Sequence, residues 1–146
     1  MNYKNLIVDA NIFIALTWPQ DSLHARAEHL VRTLISEEVI FHVNNYVVAE
    51  ALTVTLLRSK DLARVQFLEK YFFHDRNNNL KLTPIDINGE KAIRNIFLSQ
   101  QKYKGEFLSF ADCSLIVQAR KQNISTIFTF DQTFAQFKRE FDIVGV

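Results

Sequence analysis

The chain has 146 residues, of which 48% are hydrophobic and 23% are charged, a composition typical of an ordinary globular protein with one domain. The formal net charge is +1 at pH 7, so any surface that binds polyanions must be local. No apolar run approaches the roughly 20 residues of a membrane span, and no signal peptide opens the chain, so we expect a cytoplasmic protein. The single cysteine, Cys113, excludes an internal disulfide, and the four histidines lack metal-site spacing.

Predicted strands and helices alternate along the whole chain, which contains few prolines and glycines. The predicted strands are residues 6–8, 39–43, 80–85, 126–130 and 141–146. The predicted helices are residues 12–17, 23–35, 44–59, 61–73, 88–103 and 109–122, with a short helix starting at Asp131. Residues 74–79 are predicted to form a polar loop. Such alternation predicts one α/β domain over residues 1–146, in which helices flank a parallel five-stranded sheet in three layers.

The first strand ends abruptly at a carboxylate, because the apolar run 6–8 is followed by Asp9. The carboxyl ends of parallel strands form the crevice in which open α/β sheets bind ligands. Asp131 has the same place after the fourth strand, although it also suits the N-cap of the short helix. Asp86 follows the third strand, and we interpret it as a helix cap because Ile87 and Asn88 separate it from its helix.

Two further acids lie inside predicted helices that are apolar on most sides. Glu50 is surrounded by apolar residues, and a buried carboxylate is costly unless it is paired or binds a metal. A simpler interpretation is a partly exposed glutamate that reaches Arg58 or a neighbouring helix. Asp112 begins a similar helix, and its spacing from Ser109 is that of a capping box. A carboxylate in the first helical turn can still face the crevice, so capping does not exclude metal binding.

Together, Asp9, Glu50, Asp112 and Asp131 would place up to four negative charges in one crevice. Like charges that close cannot all remain ionised without a counter-charge, and no lysine or arginine lies beside them in sequence. Ligands that are all oxygen atoms favour Mg²⁺ or Mn²⁺ over zinc. This arrangement suits metal-assisted hydrolysis of phosphodiester bonds.

Four short motifs in this order resemble the PIN-domain ribonucleases, a match that runs from residue 4 to the C-terminus. The motifs are Val8-Asp9-Ala10-Asn11, Glu50 after the second strand, Leu108-Ser109-Phe110-Ala111-Asp112-Cys113, and Thr129-Phe130-Asp131-Gln132-Thr133-Phe134. The resemblance implies a parallel sheet between helices and an RNA-cleaving site with one or two Mg²⁺ or Mn²⁺ ions. It assigns the metal-site roles to the four acids, and supporting polar roles to Asn11 and Ser109.

The size of the chain is most similar to that of the VapC-type toxins of prokaryotic toxin–antitoxin pairs. That resemblance implies a homodimer that cleaves transfer RNA or other structured RNA, and a cognate antitoxin whose tail enters the acidic groove. Basic residues near the crevice mouth are candidates for phosphate contacts, although exposed lysines usually form only a solvated surface. They are Arg58, Lys60, Arg64, Lys102 and Lys104. An aromatic cluster could belong to the core or to part of a dimer or antitoxin interface. It comprises residues 71–73, together with Phe67 and Leu68.

The main hypothesis is therefore a metal-dependent endoribonuclease that acts as a toxin. One alternative is a PIN nuclease that processes RNA without a toxin role, and another is a non-catalytic binding module. A phosphoacceptor receiver domain is set aside, because it needs adjacent acids after the first strand. This chain has Asp9-Ala10-Asn11 there.

Overall fold

The structure is a computed structural model that describes residues 3–75 and 79–146. The predicted polar loop falls partly on residues 76–78, which lie outside the described residues. The strands are β1 (Asn5–Val8), β2 (Ile40–Val43), β3 (Leu80–Leu82), β4 (Thr126–Phe128) and β5 (Asp142–Val144). The helices are α1 (Ala10–Thr17), α2 (His24–Ser36), α3 (Asn45–Ser59), α4 (Leu62–Phe73), α5 (Ile87–Ser99) and α6 (Phe110–Gln122), with a 3-10 helix at Gln132–Phe137.

The five strands form one parallel sheet in the order β3-β2-β1-β4-β5. The central strand β1 pairs with β2 on one side and with β4 on the other, so that Ile7 lies between His42 and Ile127. Leu6, Ile7 and Val8 have no exposed surface. Consecutive strand residues point to opposite faces, so both faces of β1 are covered. The predicted α/β fold, a parallel five-stranded sheet flanked by helices, is confirmed.

Several predicted helix starts are confirmed by side-chain caps. The Asn44 side chain accepts hydrogen bonds from the first turn of α3, and Asp61 caps α4. Asp86 caps α5 by accepting from the Gly89 N–H at 2.9 Å, as interpreted from the sequence. These carboxylate and amide oxygens satisfy N–H groups that have no partner inside the helix.

The predicted boundaries are wrong at several elements. Helix α5 ends at Ser99, because the Gln100 side chain bonds the backbone of Leu108 and turns the chain. Helix α2 begins at His24 and has no side-chain cap, since Asp21 instead accepts from the Leu23 N–H in the preceding turn. Helix α1 begins earlier than predicted, directly after Asp9. Strands β3, β4 and β5 are each shorter than predicted.

Within the described ranges, none of the helices has the length and apolar character that crossing a membrane requires.

Candidate metal centre

Asp9 lies at the carboxyl end of the central strand and is 3% exposed. Its N–H donates to the Phe128 carbonyl at 2.9 Å, which continues the pairing of β1 with β4 for one residue. Helix α1 starts at the next residue. The strand ladder and the helix start together fix the Asp9 carboxylate at the edge of the sheet.

Two side chains and two backbone N–H groups form a hydrogen-bond network around Asp9. The Asn11 amide donates to Asp9 Oδ2 at 2.8 Å and to Thr129 Oγ1 at 3.1 Å. Thr129 Oγ1 donates to Asp9 Oδ2 at 2.6 Å and accepts from the Asp131 N–H at 3.0 Å. Asn11 Oδ1 accepts from the Phe130 N–H at 3.2 Å. The network joins the ends of β1 and β4 and holds one oxygen of Asp9 in place.

Helices α3 and α6 bring Glu50 and Asp112 to the same edge. The fully buried Asn44, which caps α3, also donates to Ser114 Oγ at 3.1 Å and to Gln118 Oε1 at 3.0 Å on α6. Because buried polar groups are held by their hydrogen bonds, this junction fixes one helix against the other.

Asp112 also forms the predicted capping box with Ser109. The Ser109 N–H donates to Asp112 Oδ2 at 2.7 Å, and the Asp112 N–H donates to Ser109 Oγ at 3.0 Å. Ser109 is exposed and lines the same cleft as Asp112. The capping role and a place at the cleft are therefore compatible.

Ligand oxygens of Asp9, Glu50 and Asp112 lie within 4.8 Å of one another. They line a cleft of about 220 Å³ together with Asn11 and Asp131. Asp131 stands outside the group of three, because its carboxylate caps the 3-10 helix by accepting from the N–H and the Oγ1 of Thr133. The structure thus brings three of the four predicted acids together and places the fourth on the cleft wall.

The pKa values of the three clustered acids are raised. Burial, followed by the charge of Asp112, raises the pKa of Asp9 to about 8, although the Thr129 hydrogen bond opposes this. Burial and then the charges of Asp112 and Asp131 raise the pKa of Glu50. Burial also raises the pKa of Asp112, against its hydrogen bonds with Ser109. Without a counter-charge, three ionised carboxylates at this spacing are therefore unfavourable.

The donor set fits a hard divalent cation. Glu50 is half-buried, yet its carboxylate has no hydrogen-bond or ion-pair partner among residues 3–75 and 79–146. A cation held between Asp9, Glu50 and Asp112 would supply that missing partner and neutralise the repulsion. Oxygen ligands without histidine or cysteine match the preferences of Mg²⁺ and Mn²⁺.

Arg58, which the sequence offers as a candidate for phosphate contacts, lies on the cleft wall. It lies on α3 two turns beyond Glu50, with Val54 between them on the same helix face, and all three line the cleft. Its guanidinium lies 3.9 Å from Asp21, and its side chain is 56% exposed. An exposed ion pair of that length contributes little, so Arg58 remains available to an anion at the cleft mouth.

Sequence reasoning missed Thr129 and Asn44 as residues that organise the site. Thr129 is the first residue of the Thr129-Phe130-Asp131 motif, but its full burial beside Asp9 is not visible in the sequence pattern. From the sequence, Asn44 is only the first residue of the predicted helix 44–59. A polar residue at the end of a buried strand or at the start of a buried helix is the signal that could have indicated both.

Replacing Thr129 with valine is expected to destabilise the protein by about 1–3 kcal/mol. Valine keeps the shape but removes the hydroxyl that donates to Asp9 and accepts from the Asp131 N–H. Chemical denaturation at pH 7 measures the loss, with Thr53→Val on α3 as the control. Equal stabilities of Thr129→Val and wild type would contradict the role assigned to this hydroxyl.

Three solved structures share the fold of this chain. Mycobacterium tuberculosis VapC20, a Sarcin-Ricin loop cleaving toxin, has a TM-score of 0.75 at 18% identity, with 97% of this chain and 98% of that chain covered. Rickettsia felis VapBC2, bound to a DNA fragment from its promoter, has a TM-score of 0.62 at 16% identity, with 95% and 96% covered. Neisseria gonorrhoeae FitAcB has a TM-score of 0.61 at 17% identity, with 95% and 96% covered.

No curated protein sequence matches the chain significantly. The sequence profile of the PIN domain, in contrast, matches residues 6–140. That region contains all four acids at the sheet edge. The chain belongs to the PIN domain family.

Proposed function

We propose that this protein is a divalent-cation-dependent endoribonuclease and the toxin of a type II toxin–antitoxin pair. The observation that carries the proposal is the group formed by Asp9, Glu50 and Asp112, with ligand oxygens within 4.8 Å. Membership of the PIN domain family supports the nuclease activity. The structural likeness to VapC20, a toxin that cleaves the Sarcin-Ricin loop, supports the toxin role.

In this proposal Asp9, Glu50 and Asp112 hold Mg²⁺ or Mn²⁺, and Asp131 completes the negative wall of the cleft. Such a cation, when bound, supplies a more acidic water and stabilises charge on phosphate oxygens. Asn11 and Thr129 orient Asp9 through their hydrogen bonds to Oδ2.

The proposed substrate is a structured RNA such as transfer RNA. The cleft is open and lined by polar groups, and Arg58 stands at its mouth. A guanidinium binds phosphate oxygens well, so Arg58 is placed to contact the RNA backbone beside the scissile bond.

Incubation of the purified protein with total transfer RNA tests the activity, in parallel reactions with Mg²⁺, Mn²⁺ and EDTA. Discrete fragments that need a metal are expected. A protein that neither cleaves RNA nor binds metal in calorimetric titration would instead be a non-catalytic binding module. An adjacent gene that does not encode an antitoxin would favour a PIN nuclease that processes RNA without a toxin role.

The proposed antitoxin has a suitable docking groove on the opposite side of α1 from the cleft. This groove, of about 180 Å³, lies between α1, α2 and α4 and is almost entirely apolar. Phe67 on its wall is 66% exposed and Ile35 is 42% exposed. Ile14 of α1 lines the acidic cleft, whereas Phe13 lines the groove. A partner segment with apolar side chains in the groove would therefore lie one helix away from the site that it silences.

Replacing Phe67 with aspartate is expected to abolish co-purification with the product of the adjacent gene while preserving RNA cleavage. A charge in an apolar contact is costly to desolvate, and the exposed position leaves the fold intact. Phe73→Asp is the matched control, because Phe73 lies on the same helix, is 53% exposed and does not line the groove. Retained co-purification of Phe67→Asp would exclude this groove as the antitoxin site.

We further propose a homodimer, as the resemblance to VapC-type toxins implies. Helix α5 carries Ile87 and Leu98, which are 77% and 80% exposed, and such apolar exposure suits an interface. Light scattering after size-exclusion chromatography tests the dimer.

A further inference from the structure

A short hairpin connects α5 to α6 directly before the acidic cleft. The Tyr103 N–H donates to the Glu106 carbonyl at 2.9 Å, and the Glu106 N–H donates to the Tyr103 carbonyl at 3.1 Å. Lys104 and Gly105 form the turn with φ values of 51° and 83°. Two consecutive positive φ values are typical of the type I′ turn, which joins strands tightly.

The base of the hairpin is fixed by one side chain. The Gln100 amide donates to the Leu108 carbonyl at 3.0 Å, and Gln100 Oε1 accepts from the Leu108 N–H at 2.7 Å. Leu108 itself is 3% exposed and packs into the core. The hairpin is therefore held at both ends and presents its side chains in a defined arrangement.

The two faces of the hairpin carry different groups. Residues that face each other across a hairpin lie on the same face, and neighbouring pairs alternate. Tyr103 and Glu106 therefore share one face, with the Lys104 ammonium 5.5 Å from the Tyr103 ring centre. Lys102 and Phe107 share the other face, with the ammonium 5.6 Å from the ring centre. Only the second face combines a cation and an aromatic ring without an acid beside them.

The second face lies close to the cleft along the chain, because Phe107 precedes the cleft residue Ser109 by two positions. Phe107 is 55% exposed, Leu108 is buried and Ser109 is exposed, so the first and third side chains of this segment point outward. Ser109 lines the acidic cleft. Two extended residues span at most about 7 Å, so the Cα of Phe107 lies within that distance of the Cα of Ser109 at the cleft edge.

We propose that Phe107 and Lys102 form a platform for single-stranded RNA, on which a base stacks against the ring and a phosphate contacts the ammonium. Exposed aromatic rings next to cations bind unpaired nucleotides in this way, whereas the bases of a duplex are not free to stack. Neither Lys102 nor Lys104 is ion-paired with another described residue. The proposal rests on the proposed nuclease function and adds that the strand near the cleft is unpaired.

Fluorescence anisotropy tests the platform. The probe is a fluorescein-labelled oligoadenylate of roughly 12 nucleotides, used either single-stranded or annealed to its complement. EDTA is present so that the strand is not cut. Phe107→Ala is expected to weaken binding of the single strand at least about fivefold, and Phe107→Trp to restore it. Lys102→Gln is expected to lower the slope of log affinity against log salt by about 0.7, the value for one phosphate contact.

Two matched controls separate the platform from general surface effects. Lys104→Gln removes the same charge on the other face of the hairpin, and Phe73→Ala removes a ring of similar exposure on α4; both are expected to bind as wild type does. If the wild type cleaves transfer RNA but Phe107→Ala and Phe73→Ala bind the single strand equally well, the platform proposal is overturned and the nuclease proposal stands. A wild type that neither binds nor cleaves RNA would overturn both.

Discussion

Asp112→Asn is expected to reduce metal-dependent cleavage of transfer RNA at least about a thousandfold and to leave the fold intact. Removing one of three clustered carboxylates weakens cation binding and loses several kcal/mol of charge stabilisation. Each 1.36 kcal/mol added to the activation free energy lowers the rate tenfold. Asparagine keeps an oxygen that can accept the Ser109 N–H, so the capping box survives. Asp9→Asn is expected to reduce cleavage equally. It should also keep the fold, because its amide oxygen can still accept from Asn11 and Thr129.

Asp86→Asn is the matched control for these variants. Asp86 also follows a strand, but its carboxylate caps α5 and is 60% exposed beside Lys121. Asparagine caps helices as well as aspartate does, so this variant should cleave at the wild-type rate. Initial rates in Mg²⁺, Mn²⁺ and EDTA, with circular dichroism of each variant, give the comparison. Wild-type activity in a clean preparation of Asp112→Asn would show that the cluster is not the active site.

Without a metal, the protein is expected to lose stability as the pH rises from about 5 to about 8. The pKa of Asp9 is about 8 in the folded protein, compared with 3.8 for an unperturbed aspartate such as that of the unfolded chain. The folded state therefore binds the proton more tightly. The stabilisation is fully present below the lower pKa and is lost as the pH rises through the higher one. The free energy of unfolding should therefore fall by up to about 1.4 kcal/mol per pH unit for each proton involved.

Urea denaturation in EDTA at several pH values measures this slope. Asp9→Asn should flatten most of it and be more stable than wild type at pH 8. The contributions of Glu50 and Asp112, whose pKa values are also raised, remain, together with the opposite contribution of His42, whose pKa is lowered by burial. Asp86→Asn should keep the wild-type slope. Mg²⁺ at about 100 times its dissociation constant should restore about 2.7 kcal/mol. A stability that is flat or rises over this pH range would contradict a crowded, metal-free acidic cluster.

The sequence predicted the elements well where the hydrophobic pattern was strong. The apolar run before Asp9 is the buried central strand, and the alternation of strands with helices correctly indicated a parallel sheet. The exact ends were decided by individual side chains, such as Gln100, which ends α5 by bonding Leu108. A hydrogen bond between residues eight apart leaves no trace in periodicity.

The sequence by itself determined the fold class and the place of Asp9 and Asp131 after two of its strands, because all strands of a parallel sheet end at the same edge. Only the tertiary structure decided that Asp9, Glu50 and Asp112 converge, while Asp131, for which the sequence also allows a capping role, stays outside their group. It also decided that Thr129 and Asn44 hold the converging elements. These two contacts join residues 74 and 120 positions apart, and they exist only once the sheet and helices have packed.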